Sequence, residues 1–169
     1  MRKNARIVII GAGIVGCSTA YHLALLGWSD IIVIEQGPIF ETGGSTSHAP
    51  GLVFQTSPSK TMSLLSQETV KLYSSLELNG DACFYPVGSM EVATTTERLE
   101  ELKRRIGLGI SYGLDSTMIS PKECLEYNPL LSDKILGAMF VKNDGIAKAV
   151  RAAESMSTSK AVKNSVEFL

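Results

Sequence analysis

Three glycines at a fixed spacing, with an acid at a set distance beyond them, are the residues here with the clearest chemical use. The run from Arg6 to Gly16 reads RIVIIGAGIVG, an apolar segment leading directly into Gly11-x-Gly13-x-x-Gly16. The first glycine permits a tight turn, the second lets the backbone approach a pyrophosphate, and the third lets a helix pack close to a strand. Ile14 and Val15 would open that helix, whose free N–H groups and partial positive charge suit a phosphate. Glu35, with Gln36 beside it, follows about 20 residues on, where a carboxylate can accept hydrogen bonds from a ribose diol. The pattern predicts dinucleotide binding.

A second region of chemical interest is the stretch from Gly37 to Thr61, rich in Gly, Ser, Thr and Pro. It contains Gly43-Gly44-Ser45-Thr46-Ser47-His48-Ala49-Pro50-Gly51. Loops of such length are functional or disordered, and this one has neither the charge runs nor the repeats of a disordered segment. Leu52-Val53-Phe54, which follows, is apolar and is expected to be buried. His22 falls inside the first helix, where a surface or packing role is expected. Cys17, Cys83 and Cys124 are scattered and odd in number, with no CxxC pairing and no metal-ligand spacing. They read as reduced thiols of a cytoplasmic protein, and no metal is expected.

These residues need elements to hold them, and the elements are legible. A chain of 169 residues is about one domain. Strand one is Arg6 to Ile10, helix one runs from Ile14 to about Leu26 with Gly27 as its stop, and strand two is Ile31 to Glu35. This is the βαβ start of an open parallel sheet. A helix follows from near Pro58, with Met62, Leu65, Leu72 and Leu76 on one face. Short strands are expected at Phe84 to Val87 and Ser89 to Ala93, and a helix at Glu97 to Ile106. Ser120-Pro121-Lys122-Glu123 is a capping box with proline in the first turn. A strand is expected at Ile135 to Val141. Asp144 is expected to cap a last helix carrying Ile146, Val150, Ala153 and Met156. Val166 to Leu169 reads as a strand without partner strands, so the chain reads as the N-terminal part of a longer enzyme or a truncated product, with a complete small domain as the alternative.

Bulk properties exclude little but exclude it cleanly. A net charge of −1 offers no footprint for nucleic acid. No run of ~20 apolar residues suggests a membrane span. Arg2 and Lys3 before an apolar run ending at Cys17 mimic a lipoprotein signal, yet glycines interrupt the run and its removal would delete strand one. The residues alone leave three readings: a flavin enzyme, a nicotinamide-dependent dehydrogenase, and a non-catalytic truncated dinucleotide-binding fragment.

The segment GGSTSHAPGLVFQTSPSKTM, Gly43 to Met62, is more particular. It resembles the N-terminal region of the dimethylglycine oxidase, dimethylglycine dehydrogenase and sarcosine dehydrogenase family, within the D-amino-acid-oxidase-like FAD enzymes. Val87 to Thr95, Ser120 to Cys124, Ile135 to Gly137 and Asp144 to Ala147 carry the likeness further. The resemblance implies an α/β fold: a Rossmann-like FAD-binding domain, its open parallel sheet incomplete here, with part of an α+β substrate-binding lobe. The expected division is 1–80 and 143–169 for the FAD-binding domain and 81–142 for the lobe. It further implies covalent FAD through His48, the histidine of the GST-x-HA-x-GL motif. Gly43, Gly44, Ser45 and Thr46 would lie along the pyrophosphate and ribityl chain, and Gly51 and Leu52 would approach the flavin ring. The implied activity is oxidation of an N-methyl amine, with folate as a possible partner of a missing C-terminal region. Catalytic residues on the amine side are left unassigned.

Overall fold

The computed structural model describes residues 4–41 and 43–169. In chain order, β1 (Ile7–Ile10), α1 (Ile14–Leu25), β2 (Ile31–Ile34), α2 (Ser45–His48), β3 (Leu52–Val53) and α3 (Lys60–Ser75) come first. Next are β4 (Glu77–Leu78), β5 (Asp81–Ala82), β6 (Phe84–Tyr85), β7 (Ser89–Ala93), α4 (Thr96–Ser111) and β8 (Ser116–Ile119). Then follow α5 (Pro121–Tyr127), β9 (Gly137–Val141), β10 (Gly145–Ala147), α6 (Ala149–Ser157), α7 (Lys160–Lys163) and β11 (Val166–Phe168). The fold class is α/β. The chain divides into two compact units, one made of the stretch up to Leu52 with Tyr73–Phe84 and Ala147–Leu169, the other of Val53–Leu72 and Tyr85–Ile146. Among the described residues no helix is long and apolar enough to cross a membrane.

The first unit is built on a parallel sheet. The β-branched runs IVII and IIVI favour strands, and β1 pairs with β2 in register from Ile7↔Ile31 to Ile10↔Ile34. β11 pairs in parallel on the other side of β2, from Val166↔Ile31 to Phe168↔Val33, giving the order β1-β2-β11. The expectation that the last apolar run lacks a partner is therefore corrected: β2 has a second free edge, and β11 takes it. One face of the sheet is covered by α1, whose buried positions are the small residues Gly16, Cys17, Ala20 and Ala24. Their size lets α6 pack against α1, with Ala153 joining Ala12, Cys17, Ala20 and Val33 in one cluster. Gly27, at φ 83°, ends α1 as its position predicts. Val8, Ile10 and Ile34 on the sheet remain exposed.

The second unit carries an antiparallel sheet of order β7-β9-β8. β9 is central, pairing Ser89↔Val141 on one side and Ser116↔Val141 on the other. α4 packs on one face, where Leu102 meets Ala93, Met139 and Val141. On the other face Cys124 of α5 joins Ile119, Ile135 and Ala138. The predicted capping box forms, with Ser120 and Glu123 bonding reciprocally and Pro121 in the first turn.

Three expectations are corrected here. Asp144 does not cap the last helix: the N-cap of α6 is Lys148, because β10 intervenes and carries Ile146. Instead Asp144 is fully buried, accepting from the Gln55 N–H at 3.0 Å, Gln55 Nε2 at 2.9 Å and Ser89 Oγ at 2.6 Å. The inward face of α3 holds Ser63 and Val70, while Met62 and Leu65 are exposed. The rotation follows from a polar demand: Ser63 Oγ donates to the buried Gln55 carbonyl at 2.8 Å. Leu52 and Phe54 are likewise exposed rather than buried. Gln55, held by Asp144, takes the inward position, and alternation along the extended chain turns Phe54 outward.

Candidate functional site

Strand β1 delivers the chain to a turn that three glycines make possible. Gly11 sits at φ 99°, a conformation that L side chains rarely adopt, and its N–H donates to the Ile34 carbonyl at 2.7 Å. The turn is thereby tied to the end of β2. A Cβ on Gly16 would fall 1.9 Å from the Gly11 carbonyl oxygen and 3.4 Å from Ile9 Cγ2, so only glycine lets α1 start this close to the strand. A Cβ on Gly13 would fall 2.9 Å from Thr46 Oγ1.

Glu35 follows β2 directly and reaches back to the turn. Its Oε2 accepts the Ala12 N–H at 2.8 Å, and its Oε1 accepts the N–H groups of Gln36 at 2.9 Å and Gly37 at 3.3 Å. The Ala12 donor above all, then Gly37 and Gln36, hold this carboxyl below the usual carboxylate range despite some desolvation. Four lone-pair sites serve three N–H groups, so one further donor can be accepted.

Ile14 opens α1, and its N–H donates to Thr46 Oγ1 at 2.9 Å. The N–H groups of Gly13, Val15 and Gly16 have no hydrogen-bond partner among the described residues. Three donors without a partner among the described residues thus lie at the start of a 12-residue helix, whose dipole adds to them. That arrangement is suited to a diphosphate.

The loop after Glu35 contributes Thr46 to this turn. Gly44 is the N-cap of α2, which begins at Ser45. Ser47 Oγ accepts the Gly43 N–H at 3.1 Å and donates to the Gly44 carbonyl at 2.9 Å. His48 ends α2, is exposed, and has Nδ1 2.9 Å from the Gly44 carbonyl. A carbonyl only accepts, so Nδ1–H is the donor, and in the neutral ring Nε2 carries the free lone pair. Gly51, at φ 82°, accepts the Ala147 N–H at 2.8 Å, and Leu52 beside it is exposed.

The structure thus brings Gly11, Gly13, Ile14, Val15, Gly16, Glu35, Gln36 and Thr46 together. Gly43, Gly44, Ser45 and His48 form the adjoining turn, and Gly51 and Leu52 lie further along the chain. Sequence reasoning missed Ala12 and Cys17. Ala12 is the residue that Glu35 grips, and Cys17 Sγ donates to its carbonyl at 3.1 Å. The only available signal was that both are small and flank fingerprint glycines.

A glycine turn leading into a helix at the carboxyl end of a parallel β1-β2 pair, with an acid after the second strand, is the arrangement of a Rossmann-like dinucleotide-binding fold. Residues 6–169 match the FAD dependent oxidoreductase family, and the chain belongs to that family. The chain is 35% identical over 168 residues to the mitochondrial pyruvate dehydrogenase phosphatase regulatory subunit of Mus musculus, covering 98% of this chain and 19% of that protein. It is 36% identical over 148 residues to the mitochondrial sarcosine dehydrogenase of Homo sapiens, covering 85% of this chain and 16% of that protein. The solved L-proline dehydrogenase from P. horikoshii superposes with a TM-score of 0.87 at 25% identity, over 100% of this chain and 44% of that one. The chain therefore spans about a fifth of the curated relatives it matches.

Proposed function

We propose that the full protein holds FAD on this chain and oxidises an N-methyl amine acid such as sarcosine or dimethylglycine. FAD held here would supply the two-electron oxidant for the N-methyl carbon, and the product would hydrolyse or give its one-carbon unit to folate in a further C-terminal region. In this reading the N–H groups of Gly13, Val15 and Gly16 bind the pyrophosphate. Glu35, with Gln36 beside it, accepts from the ribose through its remaining lone pair. Gly43, Gly44, Ser45 and Thr46 follow the pyrophosphate and ribityl chain, and Gly51 and Leu52 approach the flavin ring. His48 would attach the flavin through Nε2, its lone pair bonding the 8α carbon after that methyl has lost a proton, which leaves the flavin two-electron reduced until an acceptor such as dioxygen reoxidises it, while Nδ1–H stays on the Gly44 carbonyl. Residues 1–80 and 143–169 serve as the FAD-binding domain, and 81–142 as part of the amine-binding lobe. Three buried free thiols fit a reducing compartment such as the cytoplasm.

The observation that carries this reading is the set of three N–H groups at the start of α1 without a partner among the described residues. The likeness to sarcosine dehydrogenase supports the substrate class. The test is acid precipitation of the full-length protein followed by peptide mass spectrometry, alongside sarcosine and dimethylglycine turnover. A yellow pellet with flavin on His48 and amine-dependent turnover is expected. Flavin on another residue would overturn the attachment site, and colourless protein without turnover would overturn the function.

A second reading has one specific observation in its favour. A relative matched over 98% of this chain is named a regulatory subunit. Under that reading the protein binds a dinucleotide and oxidises no amine, so the same assay would return flavin without turnover.

A further inference from the structure

The peptide units on either side of Ala12 are held by two different side chains. Glu35 Oε2 accepts the Ala12 N–H at 2.8 Å, and Cys17 Sγ donates to the Ala12 carbonyl at 3.1 Å. The peptide from Gly11 to Ala12 is further fixed by its carbonyl, which lies against Gly16 where no Cβ could fit. Among the described residues the hydrogen bond to the peptide from Ala12 to Gly13 is the one from the thiol.

That orientation has a consequence for the ligand side. None of the described peptides is cis, and in a trans peptide the N–H and C=O point in opposite directions. Cys17 is fully buried, so the Ala12 carbonyl is drawn inward. The Gly13 N–H must then point outward, and it has no partner among the described residues. We propose that Cys17 is a positioning residue of the diphosphate cradle, its thiol holding the Ala12–Gly13 peptide so that the Gly13 N–H faces the incoming phosphate. The proposal rests on the dinucleotide-binding part of the reading above.

Two further features suit the thiol to this task. Burial, above all, pushes Cys17 upward from the ordinary thiol range, which keeps the proton that the bond requires. Ser157 of α6 lies beside the sulfur, and its own hydroxyl donates to the Ala153 carbonyl at 2.7 Å. The support therefore extends through α1 to α6, which packs against it. A hydrogen bond of this kind, lost without other change, is expected to alter an affinity by about three- to tenfold.

The test compares Cys17→Ala, which removes the donor, with Cys17→Ser, which keeps one. Both are made in the full-length protein carrying His48→Ala, so that any flavin is held without a covalent bond. FAD is titrated by fluorescence, and ADP and adenosine are titrated as competitors. Cys17→Ala should weaken FAD and ADP about three- to tenfold and leave adenosine unchanged, because only the first two carry the diphosphate. Cys17→Ser should bind within about twofold of the parent. Equal weakening of adenosine, or no rescue by serine, would show general damage and overturn the positioning role. Unchanged FAD and ADP affinity in Cys17→Ala would overturn it too. A parent protein that binds neither FAD nor ADP would overturn the dinucleotide reading itself, and the proposal with it.

Discussion

Glu35 Oε2 accepts the Ala12 N–H at 2.8 Å, joining the end of the second strand to the turn that follows the first. An acid in this place is usually read for its ribose. Here it also shapes the turn before any ligand arrives. Glu35→Gln keeps one acceptor oxygen but sets an amide donor against backbone N–H groups. Either Ala12 or the Gln36 and Gly37 pair then loses its partner. FAD affinity is expected to fall about tenfold or more, measured by fluorescence titration with His48→Ala as background. An unchanged affinity would contradict the role.

The same carboxylate sets a pH dependence. Its pKa is lowered in the folded protein by the Ala12, Gly37 and Gln36 donors. A lowered carboxyl contributes stability above its unfolded value, and that contribution is lost as the pH falls through its folded value. FAD affinity should therefore show no Glu35-dependent change from neutral pH through the ordinary carboxylate range, and decline only in solution more acid than that range. Glu35→Gln should remove this acid limb. A limb centred well above pH 5 and abolished by Glu35→Gln would refute the direction of the shift.

Two glycines of the site should differ sharply in their response to alanine. At Gly16 the new Cβ would meet the Gly11 carbonyl oxygen at 1.9 Å, and a backbone atom cannot turn aside. Gly16→Ala is expected to destabilise the protein by at least about 1–3 kcal/mol, the scale of core overpacking. At Gly43 a Cβ would meet nothing within 4 Å. Gly43→Ala should leave the unfolding midpoint in urea nearly unchanged.

Thr46 Oγ1 accepts the Ile14 N–H at 2.9 Å, as an N-cap side chain would, but from a distant loop. Thr46→Ala should cost about 1 kcal/mol and Thr46→Ser should recover most of it. Chemical denaturation of the three proteins would measure both effects. If serine fails to rescue, the methyl group rather than the hydroxyl holds the loop.

Asp144 accepts three hydrogen bonds in the second unit, two from Gln55 and one from Ser89. Asp144→Asn presents an NH2 group to at least one of these donors. A loss of about 1–3 kcal/mol in urea unfolding is expected, the cost of leaving a buried donor without an acceptor. A loss below about 0.5 kcal/mol would mean the donors find other partners.

Legibility in the sequence followed the range of the interactions. The glycine turn, helix α1, strand β2 and the Ser120 capping box could be read because each is decided by residues a few positions apart. Glu35 was found because a family of folds sets its distance from the glycines. The grip of Glu35 on Ala12 and of Thr46 on Ile14 crosses 23 and 32 residues, and no local pattern encodes either. Asp144 misled for the same reason. An acid before Gly145 and a helical pattern looks like a cap, whereas its partners lie 89 and 55 residues upstream. Apolar periodicity on α3 points to Met62 and Leu65, whereas its inward face is set by the donor that the Gln55 carbonyl needs, which periodicity does not encode. Cys17 was counted as a thiol, and its hydrogen bond lay outside what residue type alone can show.

The pairing Ile31↔Val166 gives the sheet of the first unit a strand from near each end of this sequence. On a ribosome, β1, α1 and β2 emerge early, and β2 then waits beside an open edge until α6, α7 and β11 have been made. A parallel partner that distant is slow to find. During that interval the edge of β2 can bind another nascent chain. Completion of this sheet thus waits for β11, and a pause or truncation between α5 and β11 would release a polypeptide with every glycine of its fingerprint and no finished sheet to hold them.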